Sequence, residues 1–480
     1  MNKKAFYITT TLPYVNAPLH IGHALEFVRT DAVARYKALQ GYDVFFNTGT
    51  DEHGQKIFNK AQEKKLDIQE FVDQSFLVFQ QQVESFGISG GAHFIRTTDE
   101  HHISAAQEFW KRVANNGYIY KKNYQAKYCI GCEEVKTDSD LENGECPLHP
   151  GTKLELIDEE NYFFKLSSLQ KQLLDFYALR PNFVVPEFRF NEMKAFVERG
   201  LEDFSISRLK SKMSWGVPVP GDDDHIMYVW FDALTNYIST LGWPEDTSQF
   251  EKYWINGTPT QYCGKDNTRF QALIWQAMLI AAGVPNSHQV VVNGFITGDK
   301  GIRMSKTLGN VVDPLELSNE YGVDALRFFL LKEVSSFEDS PFTIERFRES
   351  YQAHLANGIG NLTSRIMTLS ETHCEEFDEL PHAEHPEAIV KAMESFDIQS
   401  AMDHIWGVIK SVDEKIQLTR PFSVVKEDKD AGVALIRDLV SDLYGVAVSL
   451  SPFMPTTSEK IIERIRENKK PVTPLFMRLE

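Results

Sequence analysis

The sequence predicts an α/β architecture: a doubly wound parallel sheet, interrupted by a cysteine-bearing insertion and followed by an all-α helix-bundle domain. Three observations predict it. Residues 1–117 alternate β-branched or aromatic runs with stretches of helical periodicity, in the order strand, loop, helix. Residues 118–160 lose that periodicity and become rich in Cys, Gly, Lys and Glu, and from Tyr228 the strand-to-helix pattern resumes. After Phe342 the chain reads as helix to near its end. The expected parts are therefore 1–117 and 226–325 for the sheet, 118–225 for the insertion, 326–350 for a linking segment and 351–480 for the helical domain.

Each element has its own local reason. The opening run AFYITTTL (5–12) is β-branched and aromatic, as a strand buried on both faces requires. A Pro/Asn-containing loop follows, and a helix is expected from near Ile21, where Leu25, Val28, Ala32 and Tyr36 recur on one face. GYDVFFNTGT (41–50) reads as a second strand that runs into polar TDEHG (50–54). Helical sequence resumes from Gln55 through 85 and again at 101–117. In such sheets ligands collect at the carboxyl ends of the strands. YVWFDALTNYIST (228–240) returns to the sheet pattern, VVVNGFI (290–296) reads as another buried strand, and 371–387 is a Pro/Glu/His-rich connector. No repeat of 20–50 residues recurs.

Composition bounds the function. At 480 residues and 54.9 kDa the chain is long enough for roughly three domains. Charged residues at 25% and hydrophobic ones at 42% exclude wholesale disorder, a collagen-like fibre and a disulfide scaffold. A net charge of −18 argues against nonspecific coating of nucleic acid or anionic membrane, while leaving room for a local basic groove. The first 23 residues do not read as a signal peptide, and no run of apolar residues is long enough to span a bilayer. Cys129, Cys132, Cys146, Cys263 and Cys374 are odd in number, with three close together, which fits a reduced compartment and a metal cluster. A cytoplasmic protein is expected.

Three segments carry chemistry. Cys129-Ile-Gly-Cys132 and Cys146-Pro-Leu-His149 form two knuckles whose two-residue gaps let both ligands of each reach one ion. Three thiolates and an imidazole suit tetrahedral Zn²⁺, and four protein ligands leave no position open, so the ion is structural; the alternative is a set of unrelated buried or surface thiols. His20 and His23 stand three apart at a helix start, where imidazoles and the helix terminus favour a phosphate chain and Gly22 permits close approach. The alternative there is a turn residue and a packed core histidine. In GIRMSKTLGN (301–310), Arg303 and Lys306 interleave with Ser305 and Thr307 in a Gly-bounded loop able to close over a pyrophosphate. An exposed basic loop is the plainer reading. Asp51 and His53 after the second strand, and Asp266 in CGKD (263–266), are candidate contacts for an ammonium or a ribose hydroxyl.

HIGH (20–23) and RMSKT (303–307) resemble the paired signatures of the class I aminoacyl-tRNA synthetases, commonly written HIGH and KMSKS. Arg for Lys and Thr for Ser keep the charge and the hydroxyl of the second. LPYVNAPLH (12–20), TDEHG (50–54), YVWFDA (228–233) and GKD (264–266) are similar to the methionyl-tRNA synthetase family in particular. The resemblance runs from about Phe6 into the last helical third. It implies a Rossmann-like catalytic domain, a zinc-bearing connective insertion, a short linking segment and a helix-bundle anticodon-binding domain. It places ATP on His20, Gly22, His23, Gly264, Asp266, Arg303, Met304, Ser305, Lys306 and Thr307, with Asp266 at the ribose. It places methionine on Leu12, Tyr14, Asp51, Trp230, Ala233, Leu234, Tyr237, Asn267 and Gln271, with Asp51 at the α-ammonium. An apolar aromatic cage and one carboxylate suit a thioether amino acid independently of that resemblance.

Two pocket positions depart from the family. Asn267 replaces a β-branched apolar residue, and Gln271 replaces a histidine, keeping a donor but losing the capacity to titrate near neutrality. In YQAHLANGIGNLTSRIMTLS (351–370), Leu355, Ile359, Leu362, Ile366 and Leu369 make an apolar stripe. Asn357, Asn361 and Arg365 lie at i, i+4 and i+8 on the other side, matching the family's anticodon readers. A solvated polar helix face is the bland alternative. Phe422 stands where the family places a stacking tryptophan. The implied activity is ATP-dependent ligation of L-methionine to tRNA(Met) through methionyl-adenylate, with Mg²⁺ on the phosphates. Catalysis would come from positioning and charge stabilisation by His20, His23, Arg303 and Lys306. The rivals are a synthetase for another apolar amino acid, disfavoured because no large editing insertion is present, and a zinc- and RNA-binding protein without catalysis. A monomer without membrane attachment is expected.

Overall fold

The computed structural model describes residues 3–132, 134–136, 140–301, 304, 312–375, 380 and 383–479. In chain order the first elements are β1 (Ala5–Thr9), α1 (Ile21–Leu39), β2 (Asp43–Thr50), α2 (Gln55–Lys64), α3 (Ile68–Ser85), β3 (Ala92–Arg96) and α4 (Glu100–Asn115). The helical run expected over 56–85 is thus two helices. Lys65 adopts the left-handed conformation that ends α2, and the Asp67 carboxylate accepts from the Gln69 and Glu70 N–H groups as α3 begins.

The middle of the chain supplies β4 (Ile119–Cys129), β5 (Glu134–Lys136), β6 (Glu155–Phe164), α5 (Gln170–Leu179), β7 (Val184–Val185) and α6 (Glu187–Glu198). It continues through β8 (Phe204–Ser205), β9 (Ser207–Leu209), β10 (Pro218–Val219) and β11 (Asp222–Met227). Then come α7 (Val229–Leu234), α8 (Asn236–Ser239), β12 (Thr258–Gly264), α9 (Trp275–Ala282) and β13 (Gln289–Asn293). Residues 1–19, 41–82 and 90–292 form one compact unit. Its main sheet has the order β3-β2-β1-β12-β13-β7. β1 pairs in parallel with β2 (Thr9 opposite Asn47) and with β12 (Thr9 opposite Gln261). Strand order therefore reverses between β1 and β12, the point where an open parallel sheet leaves a crevice at its carboxyl edge. The core beneath is aromatic, with Tyr7, Phe109, Trp110, Phe231, Trp254 and Trp275 in one cluster.

The insertion is built on a second, antiparallel sheet of order β5-β4-β6-β8. β4 and β6 pair continuously from Ile119 opposite Phe164 to Tyr128 opposite Glu155, so the ladder carries Cys129 to its tip. One strand inside 118–225 departs from the expected insertion. β7 pairs with β13 (Val184 opposite Val290) and so belongs to the main sheet.

Residues 20–40, 83–89 and 293–480 form the second unit. A short β14 (Ile296–Thr297) pairs with β15 (Ser340–Pro341), with α10 (Pro314–Tyr321) and α11 (Val323–Phe328) between them. α12 (Ile344–Ser350), α13 (Asn361–His373), α14 (Glu387–Glu394) and α15 (Ile398–Thr419) follow, then α16 (Pro421–Glu427), α17 (Lys429–Leu450) and α18 (Pro455–Arg466). Buried charges tie α1 into this unit. The Asp31 carboxylate meets Arg35 at 2.7 Å and Arg327 at 2.8 Å, while the Arg29 guanidinium donates to the Val334, Ser335 and Ser336 carbonyls. Such groups are tolerated in a core only when paired, so they dictate where α1 packs. Among the described residues, no helix is long and apolar enough to cross a membrane.

The helix expected over 351–370 is not regular. Tyr351–Gly360 is a widened, π-helical stretch that kinks at Gly358 (φ −85°, ψ −109°), and α13 starts only at Asn361. The apolar stripe holds for Leu355, Ile359, Leu362 and Ile366, whereas Leu369 is only half-buried and Met367 is fully buried. The i, i+4 relation of Asn357 to Asn361 is broken by that kink.

Candidate active site and metal centre

At the carboxyl edge of the main sheet the chain places its methionine-pocket candidates together. Asp51 follows β2, is 2% exposed, and is bridged in parallel to Tyr14, its N–H donating to the Pro13 carbonyl at 3.0 Å. Tyr14 meets Trp230 edge-on at 6.4 Å, and Trp230 stacks on Phe270 at 3.9 Å and 13°. Leu12, Ala233, Leu234, Tyr237 and Gln271 are buried around the same strand ends and the α7–α8 turn. Gln271 donates through Nε2 to the Tyr237 hydroxyl. Asn267 is half-buried and donates weakly to exposed Asp266 at 3.4 Å, and Gly264 is buried at the end of β12. A carboxylate beside stacked aromatic faces is a site for an ammonium carrying an apolar chain.

The neighbours of Asp51 have structural partners. Glu52 is fully buried and takes both nitrogens of Arg96, at 2.8 and 2.9 Å. His53, a candidate ligand contact from the sequence, instead holds buried Asp232: its Nδ1 lies 2.6 Å from Asp232 Oδ2. Asp232 Oδ1 is taken by His102 Nε2 at 2.8 Å, and His102 Nδ1 reaches Ser239 Oγ at 2.9 Å. Burial raises the Asp232 carboxyl, but the two histidines outweigh it and hold the group at about 2. Because Asp232 lies on α7, this clamp orients the helix that bears Trp230, Ala233 and Leu234.

In the second unit, His20 and His23 open α1 as a reciprocal cap. His20 Nδ1 accepts from the Gly22 N–H at 3.1 Å, and His23 Nδ1 accepts from the His20 N–H at 3.2 Å. Each neutral ring must then carry its proton on Nε2, leaving two Nε2–H donors. The rings stack at 3.8 Å, and burial together with the neighbouring His20 holds His23 well below the usual histidine range. A Cβ on Gly22 would lie 3.0 Å from His20 Cε1, so any larger residue would press on that ring. Met304 is half-buried, whereas Arg303, Ser305, Lys306 and Thr307 lie outside the described residues.

The two knuckles converge. One ligand atom each from Cys129, Cys132, Cys146 and His149 lie within 4.8 Å of one another. His149 Nδ1 is 3.3 Å from Cys132 Sγ, 3.8 Å from Cys129 Sγ and 3.9 Å from Cys146 Sγ. Burial and the Cys146 contact push the Cys132 thiol up to about 12, so three thiolates would share this space only around a cation. The donor set fits a structural metal ion, and no other such His/Cys/Asp/Glu group occurs among the described residues.

The candidate anticodon residues are spread over helices of the second unit. Asn357 is exposed before the kink, Asn361 and Arg365 are half-buried on α13, and Phe422 is 41% exposed on α16. Arg365 is ion-paired with Asp413 on α15. Sequence reasoning missed Arg208. Its guanidinium is nearly buried, 4.5 Å from the Tyr128 ring and 5.2 Å from Tyr228, in the wall of a cavity of about 750 Å³ that also touches Gly54, Gln55 and Met213. Its local sequence, SISRL, looks like an ordinary strand, and only the ring pair converging from β4 and the α7 start marks it.

The chain is similar to proteins of one family. A family model described as tRNA synthetases class I (M) matches residues 6–153 and 139–367. The methionine--tRNA ligase of Caldanaerobacter subterraneus subsp. tengcongensis is 40% identical over 96% of this chain and 74% of its own length. That of Brucella suis biovar 1 is 37% identical over 96% of this chain and 92% of its own. The solved structure of Mycobacterium tuberculosis methionyl-tRNA synthetase in complex with methionyl-adenylate superposes with a TM-score of 0.90 at 33% identity, covering 99% of this chain and all of that one. With that family match, that identity and that fold, the chain belongs to the methionyl-tRNA synthetase family of class I tRNA synthetases.

Proposed function

We propose that the residues gathered at the sheet edge and at the start of α1 activate methionine. The activity is ATP-dependent attachment of L-methionine to tRNA(Met), releasing AMP and pyrophosphate. The methionine carboxylate attacks the α-phosphorus of ATP, the new P–O bond displacing pyrophosphate, and a terminal ribose hydroxyl of tRNA then attacks the adenylate carbonyl. The observation that carries the reading is Asp51, buried at the end of β2 and bridged to Tyr14 beside the Trp230–Phe270 stack. Its carboxylate holds the α-ammonium while Leu12, Tyr14, Trp230, Ala233, Leu234, Tyr237, Asn267 and Gln271 enclose the side chain.

The Nε2–H donors of His20 and His23 meet phosphate oxygens, Gly22, Gly264 and Asp266 hold the nucleoside, and Arg303, Met304, Ser305, Lys306 and Thr307 close over the pyrophosphate. Magnesium accompanying ATP supplies charge neutralisation on those phosphates. Zinc on Cys129, Cys132, Cys146 and His149 maintains the insertion and takes no part in the chemistry. Asn357, Asn361, Arg365 and Phe422 read the anticodon, and Arg365 exchanges Asp413 for RNA as it does so. A cytoplasmic monomer completes the reading, with light scattering as its check. The test of function is methionine-dependent exchange of pyrophosphate into ATP without tRNA, run with all twenty amino acids. Exchange supported best by another amino acid would overturn the substrate.

A further inference from the structure

The widened stretch Tyr351–Gly360 is held from outside by a short strap, residues 476–479. Phe476 is 7% exposed although it belongs to no helix or strand. Its ring meets Tyr351 edge-on at 6.0 Å and 90°. It also covers Gly360: a Cβ at that glycine would lie 3.8 Å from Phe476 Cδ2 and 3.8 Å from the Phe476 nitrogen. Two turns of the strap later, the Leu479 N–H donates to Gln352 Oε1 at 2.9 Å. The strap therefore touches both ends of the stretch, Tyr351 and Gln352 where it begins and Gly360 where it closes. The entry side is fixed in turn, since Tyr351 packs on Tyr321 at 5.6 Å and the Tyr321 hydroxyl accepts from Arg348 Nε at 2.6 Å.

Local sequence does not select this geometry. π-helical turns are rare, and where they persist they mark functional sites. Gly358 and Gly360 permit the departure from a regular helix, yet glycine constrains the backbone least, so packing from outside must choose the conformation. In a regular α-helix Asn357 and Asn361 would lie within about 40° of each other around the axis. The kink at Gly358 stands between them and sets a different spread. We infer that Phe476 is a positioning residue for decoding. Seated against Tyr351 and Gly360, it holds the kinked stretch that separates Asn357 from Asn361, and so fixes the spacing at which the two amides meet anticodon bases. The inference rests on the anticodon assignment made above. An amide reads a base edge only at hydrogen-bond distance and angle, so a rotation of tens of degrees at one asparagine removes its contact.

The experiment compares the wild type with Phe476→Ala, Phe476→Leu and Gln352→Ala, each as the full chain. The assays are tRNA-free pyrophosphate exchange, and methionylation of tRNA(Met) and of the same tRNA with one anticodon base changed. Exchange should stay within about twofold, because neither residue belongs to the methionine pocket or to the start of α1. In Phe476→Ala the KM for tRNA(Met) should rise about five- to twentyfold with kcat within about threefold. Preference for the cognate anticodon should narrow by about tenfold, the scale of one lost base contact. Phe476→Leu, which keeps most of the apolar volume, should recover most of both. Gln352→Ala should shift both the same way by less, and covers the case in which loss of the ring lowers the folded yield. A Phe476→Ala protein that melts at lower temperature yet keeps its tRNA KM and anticodon preference would overturn the inference, as would exchange falling in step with methionylation. Wild-type protein that charges both tRNAs equally would overturn the decoding assignment instead.

Discussion

Gly131→Ala is a one-carbon test of the metal centre. A Cβ at Gly131 would lie 2.4 Å from Cγ, 2.5 Å from Cδ2 and 2.7 Å from Nδ1 of His149. Carbon atoms pack at about 3.5 Å, so the imidazole or the knuckle must retreat by roughly 1 Å. Metal sites tolerate only about 0.2 Å in ligand distance. The ring has no easy escape, because the clash falls at Cγ, close to its own backbone, and Nδ1 already packs among three sulfurs. One of four donors is therefore lost or strained. Metal affinity should fall by at least about 10–100-fold, the range reached by disturbing even an outer-shell partner of a ligand. The assay is zinc retention under a graded chelator, read by elemental analysis, with pyrophosphate exchange followed in parallel. Zinc should leave the variant at lower chelator concentration, and exchange should decline only afterwards. A variant that holds one zinc per chain as tightly as the wild type would refute both the ligand assignment and the structural role.

Four further outcomes are expected. Asp51→Ala should weaken methionine-dependent exchange by about 2–5 kcal/mol of lost charge pairing, and unchanged exchange would remove Asp51 from the site. Lys306→Ala should cut exchange by roughly 10²–10³-fold, the scale of one preorganised electrostatic donor. Arg365→Ala should leave exchange near normal and weaken methionylation by about 1–3 kcal/mol, and equal losses in exchange would refute its decoding role. Asp232 is depressed to about 2, so the folded state binds its proton less readily than the unfolded chain. Its contribution of about 2 kcal/mol is complete above the ordinary carboxylate pKa near 4 and is lost as pH falls through about 2. Asp232→Asn should therefore flatten the acid limb of a urea-unfolding profile between about pH 4 and 2, and a limb identical to wild type would show the clamp to be energetically idle.

Features set by neighbours in the chain were legible beforehand. The Cys129–Cys132 and Cys146–His149 knuckles, the helix start at His20 and His23 and the strands leading to Thr9 and Thr50 need only a few residues of local geometry. Their spacing alone therefore carries them. Even here tertiary packing intervened: the 351–370 helix kinks at Gly358, and Arg365, which periodicity placed on a solvated face, is engaged by Asp413. What required the fold is what joins distant segments. Val184–Val185 has too little pattern to announce itself as a strand of the main sheet, and its place comes from pairing with β13. His53, Asp232 and His102 stand 179 and 130 positions apart in their pairs, and Asp31 meets Arg327 across most of the unit. Gln261, Gln271 and Gln276 look like interruptions in apolar runs until burial forces every donor to find an acceptor. A buried polar group is stable only when paired, and a linear pattern cannot say which distant partner the closing core will deliver.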